Sequence, residues 1–335
     1  MAAKPSRFRK APQFDVVVLG GINIDYLVRG ETLPRPGDTV DGSEFLRAGG
    51  GKGANQAVAA ARLGARVAFI GRVGCDRNGD ELLYLLRREG IDVRFTTRDP
   101  GATTGVALVM IDSSGEKQIM VAPGANHRLS PREVAAARDL VTRARVLLTQ
   151  FEIPMRSVMA AVRLAHSAGA KVVLDPAPPA SAPRDLLERV TVIRPNSAEA
   201  QTITGIKVNG TPSARKAARK LLSLGAGAVA TQAGDAGDLL VWPEGEACFP
   251  RLPVKAIDAT GAGDAFAAGL AVALSEGRSW LEAGAFANAA AALATTKFGA
   301  QPAMPRREDV LRLMRRHKRG AEAAAFTRRR KATQS

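Results

Sequence analysis

The segment Ile257-Asp258-Ala-Thr-Gly261-Ala-Gly263-Asp264-Ala-Phe266 sets a carboxylate directly behind two glycines, at a point where a helix is expected to begin near Gly263. A helix start leaves its first N–H groups without intrahelical partners. Glycines let those groups face a ligand, so Gly261, Ala262 and Gly263 read as an anion site. Asp264 beside it has the chemistry to take a proton from an attacking hydroxyl while the amides hold charge on phosphoryl oxygens. The plainer alternative is that Asp264 only caps the helix. A short strand is expected just before this segment.

A second glycine-rich run, Ala48-Gly-Gly-Gly51-Lys52-Gly-Ala-Asn55-Gln56, leads into an alanine-rich helical stretch over 57–63. Consecutive glycines allow the backbone to approach a ligand, and the helix start favours anions or hydroxyl oxygens. A bare glycine turn is the simpler reading. It is not a Walker-type phosphate loop, because Leu46 stands at the first glycine position and Gly53 follows Lys52 where Ser or Thr is required. Asn23 and Asp25, after Gly20-Gly21 at a strand end, suit sugar hydroxyls or form an Asx turn. Glu152, after a strand ending at Gln150, accepts from a hydroxyl or is an exposed loop carboxylate. Pro195-Asn196-Ser-Ala-Glu199 reads either as a capping box or as a polar pair near phosphates and a water-rich magnesium ion.

Bringing such distant segments together takes a sheet. Strand-like runs at 14–19, 67–70, 146–150, 172–174, 190–193 and 229–231 alternate with helical patterns at 54–63, 80–89, 154–166 and 214–222. That βα rhythm predicts an α/β fold, a doubly wound, mostly parallel sheet flanked by helices. It breaks over 26–46 and 104–122, where strand-like segments run without a helix between them and Asp112-Ser-Ser-Gly115 marks a turn. These four segments are expected to form a small antiparallel β sheet that covers a site, meets a second subunit, or does both; extension of the main sheet is the alternative.

The chain has 335 residues, enough for one large core or two domains, and 46% apolar with 24% charged residues excludes wholesale disorder, collagen or coiled coil. Its net charge of +16 points first to nucleic acid or another acidic partner. Position weakens that reading. Residues 1–13 carry Lys4, Arg7, Arg9 and Lys10 with no acid, and 306–335 carry 11 basic and 3 acidic residues, which leaves +4 on 14–305. Hence 1–13 and 319–335 are expected to be solvated basic tails on one folded domain, 14–318. Cys75 and Cys248 match no CxxC pattern and His127, His166 and His317 are scattered, so neither a disulfide framework nor a zinc site is suggested, and the setting reads as reducing cytosol. Glu276, Glu282 and Asn288 interrupt the most apolar helical stretches short of the ~20 residues a membrane span needs.

Taken in order, these segments resemble the ribokinase-like carbohydrate kinases over nearly all of residues 14–305. The resemblance rests on Gly21-Ile-Asn23-Ile-Asp25, Pro34-Arg-Pro-Gly37, Gly50-Gly-Lys-Gly-Ala-Asn55-Gln-Ala-Val-Ala and Thr104-Gly-Val-Ala-Leu. It continues through Gly124-Ala-Asn126, Asp175-Pro-Ala-Pro178, Pro195-Asn196, Gly261-Ala-Gly-Asp264 and Gly299-Ala-Gln-Pro302. Order and spacing together are more specific than any single motif.

The resemblance implies ATP-dependent transfer of the γ-phosphoryl to the 5-hydroxyl of D-ribose, or a related kinase acting on deoxyribose, another sugar or a nucleoside. It implies Asp264 as general base with Gly261, Ala262 and Gly263 as anion hole. It puts Asn23, Asp25, Gly51, Lys52, Asn55 and Glu152 at the sugar. Asn196 and Glu199 would lie near phosphate and Mg2+, and Gln232, Gly234, Gly237, Gly263 and Asn288 at the nucleotide. Asp258, Thr260, Ala294, Lys297 and Gly299 match a monovalent-cation shell, K+ in the family. The four extra strands would be its lid, which excludes water and also joins a homodimer. Departures from the family pattern are Gln232 for a usual Thr, Asn288 for His, Ala259 for Thr, Ala267 for Asn and Ala303 for a cation-shell Ser. The competitor from another class is a polyanion-binding protein that uses the basic tails on a kinase-like body.

Overall fold

Alternation along the first strand divides the molecule into two cores. In β1 (Phe14–Leu19), Val16 and Val18 pack to one side, Val17 and Leu19 to the other, and all four are fully buried. A strand apolar on both faces needs a layer of helices on each. The computed structural model describes residues 13–317, so the basic ends expected at 1–13 and 319–335 lie, Gln13 apart, outside the described residues.

The chain continues through β2 (Asn23–Gly30), β3 (Gly42–Gly50), β4 (Val67–Gly74), β5 (Asp92–Asp99), β6 (Gly105–Ile111) and β7 (Lys117–Ala122). Then follow β8 (Ala144–Thr149), β9 (Lys171–Leu174), β10 (Val192–Ile193), β11 (Val229–Gln232), β12 (Asp238–Trp242) and β13 (Gly245–Phe249). Nine strands make one sheet in the order β13-β12-β11-β10-β9-β8-β1-β4-β5, parallel from β11 to β5. Only the β11–β12 and β12–β13 pairings are antiparallel. Helices Lys52–Arg62, Arg77–Arg88, Ala262–Ser275 and Trp280–Ala294 pack into the core with Val16 and Val18; Met155–Ser167 and Thr211–Ser223 pack into the other. This is the doubly wound sheet that the βα rhythm predicts.

Three local features differ from the sequence reading. The edge strand β5 and the β12–β13 hairpin are not among the expected strands; Asp92-Val-Arg-Phe-Thr-Thr-Arg-Asp99 carries the charges that keep an edge from pairing further. The strand expected before Asp258 is absent. Residues 250–256 have no regular structure, and Pro250 and Pro253 lack the N–H that a strand pairing there would use.

The other four strands form a second sheet, β3-β2-β6-β7, wider than the expected 26–46 and 104–122 because β2 begins at Asn23 and β3 ends at Gly50. Its outer pairs, β2 with β3 and β6 with β7, are antiparallel; the central pair, β2 with β6, runs parallel. Leu27, Ala107, Val109 and Ile111 form its own small core with Leu46 and Phe298. Period-two alternation puts Asp25 on that same face, so the small sheet carries part of the site as well as flanking it. Among the described residues no helix is long and apolar enough to cross a membrane.

Candidate active site

In an open α/β sheet, ligands lie beyond the carboxyl ends of the strands, and here β1, β8, β9 and β10 run out at Gly20, Gln150, Asp175 and Arg194. Gly51, at φ 81°, caps the helix Lys52–Arg62, and a Cβ there would fall 2.7 Å from Ile22 Cα and 2.8 Å from Asn23 N. Only glycine allows that helix to start against the β1–β2 turn. Lys52 N then donates to Glu152 Oε2 at 2.7 Å. Asn126 fixes the other wall: its Oδ1 accepts from Ile22 N at 2.9 Å, and its Nδ2 donates to Ile22 O at 3.0 Å and Asn23 Oδ1 at 2.8 Å.

The helix Lys52–Arg62 joins this region to the second glycine segment. Asn55 Nδ2 donates to Asp264 Oδ2 at 3.0 Å, and Gln56 Nε2 donates to Asp264 Oδ1 at 3.0 Å and Asp175 Oδ2 at 2.8 Å. Asp264 is 5% exposed. Acceptors nearby are left over: Asp25 Oδ1 and Asn55 Oδ1 are buried with no donor, as is Oε1 of Gln150, whose Nε2 donates to Gln56 Oε1 at 2.5 Å. Buried polar atoms without partners cost about 1–3 kcal/mol each, so they mark places a ligand's donors would fill.

Crowded carboxylates set the electrostatics. Burial pushes Asp25 up to about 8, with the charges of Glu152 and Asp264 adding to it. Burial likewise lifts Glu152 to about 7, opposed by Lys52 through its charge and its amide. Asp175 rises to about 7 for the same reason, again opposed by Lys52, whose Nζ lies 3.9 Å from Asp175 Oδ2. Burial works against the Lys52 ammonium, yet Asp175, Asp264, Glu152 and Glu199 outweigh it and hold its pKa above the ordinary lysine value.

The helix Ala262–Ser275 starts behind Gly261, which sits in the left-handed region at φ 81°. Of the three amides expected to form an anion hole, that of Ala262 donates to Ala259 O at 3.2 Å. Those of Gly261 and Gly263, with that of Asp264, have no acceptor among the described residues. Asn196 and Glu199 close the capping box that their spacing allows, Glu199 N on Asn196 Oδ1 at 2.8 Å and Asn196 N on Glu199 Oε2 at 2.7 Å. Gln232, Gly234 and Gly237 line a cavity of about 170 Å³ with Ser197, Asp238 and Arg251. Asn288 lies apart from it, donating to Pro250 O at 2.9 Å and facing an apolar cavity of about 510 Å³ walled by Phe249, Leu252, Leu311 and Met314.

At the expected cation shell, the side chains of Asp258 and Thr260 are already paired. Asp258 Oδ1 accepts from Thr260 N at 2.9 Å, Thr260 Oγ1 at 2.6 Å and Lys117 Nζ at 2.8 Å, and Lys117 also donates to the Thr260 hydroxyl. Asp258 Oδ2 accepts from Gly299 N at 2.9 Å. An ammonium from β7 thus holds the Asp258 and Thr260 side chains, whereas the shell implied by the resemblance is made largely of carbonyl oxygens, which Thr260, Ala294, Lys297 and Gly299 carry on the main chain.

Residues 13–307 match the model of the pfkB family carbohydrate kinases. The chain belongs to that family. It is similar to a ribokinase of Haemophilus influenzae, 38% identical over 299 residues that span 89% of this chain and 98% of that protein. The structure of Arabidopsis thaliana ribokinase complexed with ribose and ATP superposes with a TM-score of 0.80 at 32% identity, covering 91% of this chain and 99% of that one. A deoxyribokinase of Salmonella typhi is 31% identical over 75% of this chain and 83% of its own length.

As a member of this family the chain is a kinase that transfers phosphate to an alcohol. Sequence reasoning gave no role to Gln56, Asp175, Asn126 or Arg194. Gln56, Asp175 and Asn126 sit inside motifs that carried the resemblance, so a signal was present; what it lacked was the partner. Arg194 had no signal beyond its place before Pro195 at a strand end.

Proposed function

We propose that this pfkB-family kinase phosphorylates D-ribose on its 5-hydroxyl with ATP, giving D-ribose 5-phosphate and ADP. The observation that carries this reading is the pair of buried, donor-less acceptors on Asp25 and Asn55 beside Asp264. A polyol brings the donors they lack. The 5-hydroxyl gives its proton to Asp264 as its oxygen attacks the γ-phosphorus, and the bond from that phosphorus to the ADP oxygen breaks in line. Negative charge on the transferring group faces the free amides of Gly261 and Gly263. Asn23, Asp25, Lys52, Asn55 and Glu152 hold the remaining sugar oxygens.

Magnesium, when bound, neutralises phosphate charge. Among the described residues no cluster of three metal-ligating side chains occurs, and each Glu199 oxygen already accepts from Asn196. Those residues fit a water-shelled ion carried on ATP and touched through its waters at Glu199, not a protein cage. The potassium dependence implied by the resemblance has less support, because Lys117 holds the Asp258 and Thr260 side chains. The purine suits the apolar cavity at Asn288, and the phosphates the glycine loop at Gly234 and Gly237.

The outer face of the small sheet supports a homodimer. Phe45, Val28 and Met110 form one row across it and Tyr26, Leu108 and Met120 the next, with Phe45 62% and Met120 72% exposed. A second copy of the same sheet is the proposed occupant; sedimentation of the wild type against Phe45→Asp tests it, a monomer in both overturning it. Cys75 and Cys248 are exposed free thiols, which suits a reducing compartment such as the cytoplasm.

ADP release measured in a coupled assay with ribose, 2-deoxyribose, fructose and adenosine tests the substrate. Ribose is expected to give the highest kcat/KM, and deoxyribose to lose because it leaves an acceptor unpaired. Preference for deoxyribose, or turnover of none of these acceptors, overturns the assignment.

A further inference from the structure

Arg194 follows β10 directly, anchored by its amide on Leu174 O at 2.8 Å, and is 6% exposed. A guanidinium carries five N–H donors and no acceptor. None of Arg194's makes a hydrogen bond among the described residues: its Nε is buried without a partner, and the nearest carboxylate, Asp238 Oδ1, lies 3.8 Å from Nη2, beyond hydrogen-bond reach. Asp238 is a weak counter-ion as well, since burial raises its pKa. The guanidinium carbon lies 5.1 Å from the centre of the Phe266 ring, which holds its orientation without satisfying its donors. A buried cation left this poorly paired is costly unless an anion arrives to meet it.

Its position indicates which anion. Arg194 Nη1 lies so close to the helix start that a Cβ on Gly263 would come within 2.9 Å of it. On its other side Asp238 lines the cavity of Gln232, Gly234 and Gly237. The guanidinium therefore stands between the nucleotide loop and the free amides of the anion site. We propose that Arg194 is a catalytic phosphate ligand, its planar fork gripping the bridging oxygen between the β- and γ-phosphorus atoms together with a non-bridging oxygen of the β-phosphate. As the sugar oxygen bonds to the γ-phosphorus and the bridging oxygen departs on ADP, the β-phosphate gains a negative charge, and that charge forms next to Arg194. The inference rests on the kinase reading above but not on the identity of the sugar.

Arg194→Gln and Arg194→Lys, made in the full chain, test it through two readouts. Calorimetry compares ADP with AMP, which lacks the β-phosphate. For Arg194→Gln the affinity for ADP is expected to fall about tenfold or more, the scale of a lost charged hydrogen bond, with AMP and ribose changed less than about twofold. Turnover at saturating substrates is expected to fall roughly 10²–10³-fold, with the lysine variant between it and wild type. ADP affinity and turnover both within about twofold of wild type would overturn the proposal, as would equal losses for ADP and AMP, which would mean a structural role. If Arg194→Gln does not fold, as judged by the absence of a cooperative thermal unfolding transition, Arg194→Lys decides by the same ADP-to-AMP comparison. Should the wild type phosphorylate no ribose, the nucleotide comparison still decides the role of Arg194.

Discussion

Replacing Asp264 by asparagine keeps the side chain's shape and removes its charge and one acceptor. Its two oxygens each take an amide donor at 3.0 Å, from Gln56 and Asn55, so in the variant one of those donors meets an NH2 group. One lost hydrogen bond to a charged group costs about 1.5–3 kcal/mol, and the lost interaction of the carboxylate with the N-terminus of helix Ala262–Ser275 about 0.3–1 kcal/mol. Part of this is returned, because Asp264 opposes the ionisation of Asp25, Glu152 and Asp175 and its removal relieves all three. A net loss of about 2 kcal/mol, or a melting temperature lower by about 3 °C for a domain of this size, leaves a folded protein. Turnover should fall far more, by about 10²–10⁴, equivalent to about 2.7–5.4 kcal/mol of barrier, if Asp264 takes the hydroxyl proton. The assay is coupled ADP release at saturating ribose and ATP, with ribose and ADP binding followed by calorimetry. Turnover within tenfold of wild type with both ligands bound would refute the general-base role. Turnover and ribose binding lost in equal measure would refute it too, and make Asp264 a binding residue.

Gly51→Ala should lower stability by about 1–3 kcal/mol and weaken ribose binding while sparing nucleotide binding, because its Cβ meets main-chain atoms of Gly21, Ile22 and Asn23 within 2.9 Å at a left-handed φ; calorimetry with ribose and with ADP checks this, and unchanged ribose affinity would contradict it. The ligand-free protein should lose stability as pH rises from about 5 to 8. Until pH reaches their folded pKa values of about 8, 7 and 7, Asp25, Glu152 and Asp175 keep protons that the unfolded chain has already released, so the unfolded chain binds fewer protons and the loss levels off as those values are passed. Surface carboxylates held low by arginines, such as Asp15 and Asp92, exert the opposite effect only at more acid pH. Melting temperature against pH should fall across this range and flatten in Asp25→Asn; a rise would contradict the sign. Lys117→Met should turn a weak potassium response into a strong one, because it frees the Asp258 and Thr260 oxygens for a metal ion. Turnover and thermal shift in potassium against choline chloride measure it, and equal responses in the two proteins would count against the substitution of ammonium for metal.

What could be read from the sequence and what could not divide along a physical line. Features fixed by local spacing were legible: the two-sided apolar run Phe14–Leu19, the Asn196-to-Glu199 capping box, and the glycines that must precede helices Lys52–Arg62 and Ala262–Ser275. The site's polar balance was not, because it depends on the register of segments far apart in the chain. Asn55 and Gln56 are two more polar residues after a glycine run until β1 and the helix Ala262–Ser275 are packed against the same helix, Lys52–Arg62. Then one Gln56 amide spans Asp264 and Asp175, and Asn55 spends its donor on Asp264, which leaves its Oδ1 bare. The same holds for charge. Lys117 is one cation of a hairpin strand, and Arg194 one of 48 basic residues, yet the first is saturated by Asp258 and Thr260 while the second is buried with every donor unused. Residue type sets which chemistry is available, but only the count of donors against acceptors at the assembled site shows which groups are already satisfied. By that count the cation at Asp258 is structural and the cation at Arg194 awaits a ligand.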